Sequence, residues 1–233
     1  MKATLLPRQN VRLMWFKADG IPFQILRKIE FSYSTYDAPQ ATISRTGQFQ
    51  IELSDVPKQV PESQIIVFDK SLGLPQFYSK TTGSVGPRLA TTWAPESNLE
   101  IIDRLVSYIE GQESIKTQPP PPQLRERVKE IEIREREDFV MRKITLKNLS
   151  DKPMTAIKVI FTENKDVRFD TSEIECLEID PPEVKWLVDI PPDNLTTIEY
   201  SLRIHILNTF EVEKEIPRRD HDRYPSKPNE NFE

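Results

Sequence analysis

Four consecutive prolines at positions 119–122 stand near the middle of this 233-residue chain and constrain it more than any other feature. Proline fixes φ and cannot donate to a ladder, and a run of them favours a stiff polyproline II segment with no internal hydrogen bonds. Residues 114–123, SIKTQPPPPQ, therefore read as a linker that separates two bodies. All six glycines precede the tract, the last being Gly111, and this shift in composition independently places a junction there. A chain of this length can bury two ordinary cores. The expected organisation is a body over residues 1–113, the linker, a second body over 124–208, and a charged tail over 209–233.

Both bodies read as β-rich. Before the tract, residues 11–17, 23–33 and 41–53 are rich in β-branched, aromatic and leucine side chains. Asp19-Gly20, residues 37–39 and Thr46-Gly47 break these runs with turn chemistry. Residues 64–69 (QIIVFD) suit a short buried strand and 77–80 another, while Gly and Pro make 71–95 an irregular excursion. After the tract, residues 139–148, 154–162 and 185–190 are further strands. Ile198, Tyr200, Leu202, Ile204 and Ile206 alternate with Glu199, Ser201, Arg203 and His205. That period of two marks an antiparallel strand with one wet face. Strands so spaced, with turns at 148–153 and 191–194, predict an immunoglobulin-like β-sandwich for the second body. The fold class is thus mainly β, in two β-rich domains.

One amphipathic helix is expected in the first body, over residues 98–110. Ile101, Ile102, Leu105, Val106 and Ile109 recur at helical spacing, Ser97 or Asn98 suits the N-cap, and Gly111 suits the end. Residues 124–137, LRERVKEIEIRERE, are ambiguous between a charged helix start and a strand, and Ile131 with Ile133 favours strand by the end.

No constellation for catalysis emerges. His205 lies on the polar side of its strand and His221 in the charged tail, neither with a ligand partner at metal spacing. The single cysteine, Cys176, excludes an internal disulfide and a multi-cysteine metal site, and its acidic neighbours would raise the thiol pKa. Glu130, Glu132, Glu135 and Glu137 alternate with Arg134 and Arg136 as a solvated charge face does. Gly83 and Gly86 lack phosphate-loop spacing. Trp15, Trp93 and Trp186 read as core or interface anchors. No catalytic residue, metal ligand or cofactor is expected.

The net charge of −5 is unevenly placed: residues 1–118 carry 13 basic and 12 acidic side chains, the remainder 19 and 25. Neither part has the basic excess of a phosphate-binding surface, so nucleic acid is not an expected partner. No run approaches the roughly 20 apolar residues of a membrane span. The N-terminal residues lack a secretory apolar core before Pro7 and Arg8, and a cytoplasmic protein is expected.

Two stretches resemble the mucoidy-inhibitor-A-like proteins. The first is residues 41–69, ATISRTGQFQIELSDVPKQVPESQIIVFD, with its succession of strand, glycine turn, strand, proline turn and apolar strand. The second is residues 139–205, where a strand ending ITLKN and a turn at 151–153 lead to VKWLVDIPPDNLTTIEYSLRIH. The resemblance implies the β-rich domain of unknown function of that family, without its coiled coil, and brings no catalytic residues with it.

The expected function is a non-enzymatic protein-interaction or structural module, one component of a larger assembly, whose partner is another protein or a second copy. An enzyme or small-molecule binder with a site at the domain junction is the alternative, with Tyr33, Tyr36 and Tyr78 as side chains that could converge there. From about residue 217 the tail is too polar to offset its ordering entropy and reads as mobile, with Tyr224 and Phe232 as its partner-binding anchors.

Overall fold

The computed structural model describes residues 17–68 and 75–214. Strand accounts for 65% of it and helix for 2%, with no helix of seven or more residues. The chain is mainly β, as its alternation and proline content predict. In chain order the strands are β1 (Phe23–Phe31), β2 (Thr42–Leu53), β3 (Ser63–Phe68), β4 (Pro75–Thr81), β5 (Ser84–Val85), β6 (Arg88–Ala90) and β7 (Ala94–Ile109). They continue as β8 (Ser114–Gln118), β9 (Val128–Asn148), β10 (Met154–Thr162), β11 (Val167–Ser172), β12 (Glu178–Asp180), β13 (Glu183–Ile190) and β14 (Leu195–Glu213). A single 3-10 turn, Pro122–Leu124, precedes β9. Among the described residues no helix is long and apolar enough to cross a membrane.

Two compact units are present, and they do not divide at the proline tract. The first comprises Met1–Ile109 with Phe139–Ile204, the second Glu110–Asp138 with His205–Glu233. In the first unit the strand order is β11-β14-β9-β7-β2-β1-β10-β13-β12, so strands from before and after the tract alternate in one ladder. β1 runs parallel to β10, with Ile29 opposite Val159 and Phe31 opposite Phe161. The expected bodies at 1–113 and 124–208 are therefore not the compact units of the fold. A proline tract limits what can run through it, but places no limit on which strands pair across it. Half of the expected linker is itself a strand, β8.

The helix expected over 98–110 is instead the greater part of β7, hydrogen-bonded to β2 on one side and to β9 on the other. The periodicity explains the difference. Ile101, Leu105 and Ile109 are four apart, as are Ile102 and Val106, and a spacing of four lies on one face of a helix and on one face of a strand alike. Two flanking ladders then decide the conformation, as tertiary pairing commonly overrides local preference. Thr46-Gly47, expected to be a turn, is a bulge inside β2, where the register against β7 shifts. Gly47 is buried, and a Cβ there would meet Leu99 Cδ2 at 3.0 Å and Ile101 Cδ1 at 3.3 Å, so the position has little room for a side chain. Besides the strand expected at 77–80, which is β4, the segment 71–95 holds two short strands that were not expected, β5 and β6.

The core of the first unit is the inward parity of its strands. Val140, Ile144 and Leu146 on β9, Ile157, Val159 and Phe161 on β10, Val184 and Trp186 on β13, and Ile198, Tyr200 and Leu202 on β14 are all buried. Trp186 packs its ring 5.8 Å from Phe169 and 5.7 Å from Tyr200, although β13 and β14 lie near opposite ends of the strand order. Asn148 joins the turns at 148–153 and 191–194: its side-chain NH2 donates to Lys152 O (2.7 Å) and Pro191 O (3.1 Å), and its Oδ1 accepts from Ser150 N and Oγ.

In the second unit β8 pairs antiparallel with the first part of β9, from Ser114 opposite Glu135 to Gln118 opposite Ile131. Gly111 passes so close to β9 that a Cβ would fall 1.9 Å from Glu137 O. The Gly111 amide donates to buried Asp138 Oδ1 at 2.9 Å.

Candidate functional site

Two features of the first unit stand out chemically, an ion network inside it and a groove of mixed apolar and polar lining on its surface. The network arises where charged residues occupy inward strand positions. Asp103 follows Leu99 and Ile101 on β7, and Arg142 lies between Val140 and Ile144 on β9; both charged side chains are fully buried. Asp103 Oδ1 accepts from Arg142 Nε at 2.8 Å, and its Oδ2 accepts from Arg45 Nε at 2.9 Å and Nη2 at 2.7 Å. The Tyr33 hydroxyl also donates to Asp103 Oδ2 and is hydrogen-bonded to the Tyr200 hydroxyl. Arg142 Nη1 then donates to Ala38 O (2.6 Å) and Gln40 O (2.9 Å), fixing the turn after β1. Arg45 lies 4.4 Å from the Phe31 ring centroid and 4.7 Å from that of Tyr33.

Burial, and next the Asp103 charge, raises the Tyr33 pKa well above the ordinary phenol range. Tyr200 is raised by burial first and then by its neighbours Tyr33 and Asp103. A phenol held neutral in this way donates rather than attacks. Asp103 is fully engaged by two guanidinium groups and one hydroxyl, and Arg142 spends its donors on Asp103 and backbone carbonyls. The network is a satisfied buried polar cluster, and its chemistry is that of fixing strands and a turn.

The groove lies along the β3–β4 hairpin, a two-stranded sheet of its own. Phe77 seats the hairpin against β2 through Phe49, ring centroids 4.9 Å apart, and Thr92 N donates to Lys80 O at 2.7 Å. The space between the hairpin and residues 92–95 has a volume of about 460 Å³ and is walled by Ile65, Ile66, Tyr78, Trp93 and Pro95 among others. Tyr78 is 68% exposed, Ile66 48% and Trp93 37%, and the three are gathered along one groove. Lys28 Nζ lies 4.5 Å from the Trp93 ring centroid. Lys80 is the one charged residue in the lining, which holds no acid, histidine or cysteine. The arrangement can bind apolar groups but offers no acid/base pair. A smaller pocket of about 180 Å³ beside β11 and β14 includes Glu199, whose carboxylate is already 2.6 Å from Lys143 Nζ.

The residues singled out from the sequence fall in separate places. Tyr33 is in the network, Tyr78 in the groove wall, and Tyr36 is 85% exposed on a turn. His205 Nε2 lies 3.4 Å from Glu135 Oε1 in the second unit. Cys176 is half-buried, and its thiol pKa is raised by burial and then by Glu175. Trp186 is buried, whereas Trp93 faces the groove. Trp15, His221, Tyr224 and Phe232 lie outside the described residues, as does the segment from about residue 217 for which mobility is expected. No group of three or more His, Cys, Asp or Glu side chains that could hold a metal ion occurs among the described residues.

A helix over 98–110 gives Asp103 no strand parity to mark it as inward, whereas Arg45 and Arg142 stand in segments that read as strands and meet Asp103 only through the pairing of β2, β7 and β9. The available signal was a charged residue at apolar parity, plain in Val140-Arg142-Ile144-Leu146. Searches against family models, curated proteins and solved structures found no match, so geometry alone carries the functional reading.

Proposed function

We propose that the chain is a non-enzymatic protein-interaction module and that the groove along the β3–β4 hairpin receives apolar side chains of a protein partner. The observation that carries this reading is the division of chemistry in the first unit. Its buried charged cluster is satisfied by the protein's own groups, while its exposed aromatic and aliphatic side chains line a groove with a single charged residue. Apolar and aromatic anchors beside a polar rim are what protein interfaces bury. The hairpin that supplies them is held by its own ladder and by Phe77, so little ordering entropy is lost when a partner docks.

The fold behind this surface is proposed to be a sandwich-like arrangement of immunoglobulin-like character, built from strands on both sides of the proline tract. The Trp186 contacts with Tyr200 and Phe169 support it, since they join strands distant in sheet order across one apolar interior. Both stretches that resemble mucoidy-inhibitor-A-like proteins contribute strands to the first unit, in keeping with a common β-rich domain.

The test is affinity capture of the intact chain from its native source, with partners identified by mass, repeated with Tyr78→Ser and Trp93→Ala together. A partner captured by the native chain and lost by the variant at unchanged fold supports the proposal. Equal capture by both rejects the groove, and tight binding of a small metabolite at the groove would replace the protein partner with a ligand.

A further inference from the structure

We infer that the proline tract is a recognition element, displayed for a protein domain whose groove is lined with aromatic rings and carries acidic residues. This rests on the reading of the chain as an interaction module but uses a surface other than the groove. Pro119, Pro120 and Pro121 each precede another proline, which disfavours the helical region for them, and Pro121 has φ −60° and ψ 156°. Residues 119–121 therefore follow a left-handed threefold helix, a prism with residues i and i+3 along one edge, and Pro122 ends it by opening the 3-10 turn Pro122–Leu124. Pro119 and Pro122 share an edge, Gln118 and Pro121 share the second, and Pro120 stands on the third.

Exposure follows these edges. Pro120 is buried, while Gln118, Pro119, Pro121 and Pro122 are exposed. One edge is thus turned inward and the other two face outward, which is the pair of edges that a PxxP ligand offers to an aromatic-lined groove. The tract is also held at both ends. Before it, β8 is paired with β9 as far as Gln118 opposite Ile131. After it, Leu124 N donates to Pro121 O at 3.0 Å and Arg125 Nε to Pro120 O at 3.3 Å. A preformed extended segment costs a partner less to order than a free peptide would.

Charge gives the site its partner. Lys116 lies three residues before Pro119, giving Lys-x-x-Pro-x-x-Pro over positions 116–122, and Arg125 lies three residues after Pro122. The Lys116 ammonium is 3.0 Å from Glu135 Oε2, but its side chain is 67% exposed, so this pair is weak enough to exchange for a carboxylate on a partner. No acidic residue occurs between Ser114 and Arg125. A cationic end on an apolar prism fits an acidic rim beside aromatic rungs.

Titrating the full chain against a panel of purified SH3, WW and EVH1 domains, with anisotropy as the readout, tests this. At least one domain should bind, and Pro119→Ala with Pro122→Ala should weaken it by at least about tenfold. Lys116→Glu, which keeps every proline and changes only an exposed side chain, should weaken it several-fold, and far-ultraviolet circular dichroism should show native β content in both variants. Tyr78→Ser with Trp93→Ala should leave this binding unchanged, which separates the tract from the groove. If no domain binds, or if the double proline variant binds as tightly as the native chain, the tract is a spacer and the inference fails while the groove reading stands.

Discussion

The interior of the first unit and the outer wall of its β3–β4 hairpin invert the ordinary distribution of polarity. Inside, Arg142 and Asp103 are fully buried charges; outside, Ile66 is about half exposed and Tyr78 about two thirds. The difference between them is saturation. Each buried charge has its partners at 2.6 to 3.3 Å within the same unit, so nothing is left to offer a ligand. The exposed side chains have water on one side and, on the other, a groove whose polar lining is limited to Gln64, Ser79, Lys80 and Thr92. Perturbed or buried ionisable groups often mark active sites, but here they mark architecture, and the unsatisfied surface is the apolar one.

The largest effect should come from breaking the network at its centre. Asp103→Ala leaves Arg142 buried without its carboxylate and is expected to destabilise the fold by about 3–5 kcal/mol, read as a shift in the denaturant midpoint. Replacing the cluster as a whole tests the same idea from the other side. Asp103→Leu with Arg142→Met and Arg45→Met should recover much of that loss, since removing both signs of charge leaves no unpaired ion. An Asp103→Ala protein as stable as the native chain would show that the network is incidental.

Smaller, and dependent on pH, is the contribution of the two phenols. Tyr33 and Tyr200 are both raised above their ordinary value near 10, so the folded chain keeps protons that the unfolded chain releases. Stability is therefore fully present below pH 10 and falls as pH rises beyond it. The slope should be on the order of 1 kcal/mol per pH unit for each tyrosine. Tyr33→Phe with Tyr200→Phe should flatten the alkaline limb of the stability curve relative to the native chain. An unchanged limb would mean that the hydroxyls reach solvent.

Much of this arrangement was legible in the residues. β10 begins and ends where its apolar run does, and β13 and the Asn148 turn lie where alternation and turn chemistry put them, whereas β14 contains the alternating residues 198–206 but runs on to Glu213, into the segment expected to be a charged tail. What escaped were properties of pairing. β7 was hidden by a spacing of four that a helix shares, Gly47 by a bulge that only a partner strand reveals, and the division into units by ladders that join residues more than 100 positions apart. The groove was half visible: the strands that became β3 and β4 were evident, but the proximity of Tyr78 to Trp93 depends on how the hairpin returns over residues 92–95. Aromatic content alone suggested that Trp93 was an anchor, without saying whether it faces inward or outward.

The least effect on stability is expected where the effect on recognition should be greatest. Ile66→Ser with Tyr78→Ser alters two exposed side chains that face each other across the hairpin register, a cross-strand pair worth only about 0.2–1 kcal/mol, while the backbone ladder and Phe77 still hold the hairpin. Their loss should change unfolding free energy by no more than about 0.5 kcal/mol per site, the scatter of surface substitutions. Burying both in a partner would remove apolar area worth on the order of 1 kcal/mol or more per side chain. The same double variant should therefore lose partner capture, or self-association measured by sedimentation over a range of concentrations, while its denaturant midpoint stays in place. A midpoint that falls as far as that of Asp103→Ala would show that Ile66 and Tyr78 belong to the core after all, and the contrast between a saturated interior and an unsatisfied hairpin wall would collapse. Binding that survives at an unchanged midpoint would keep the contrast in polarity but move recognition away from the groove, toward the proline tract.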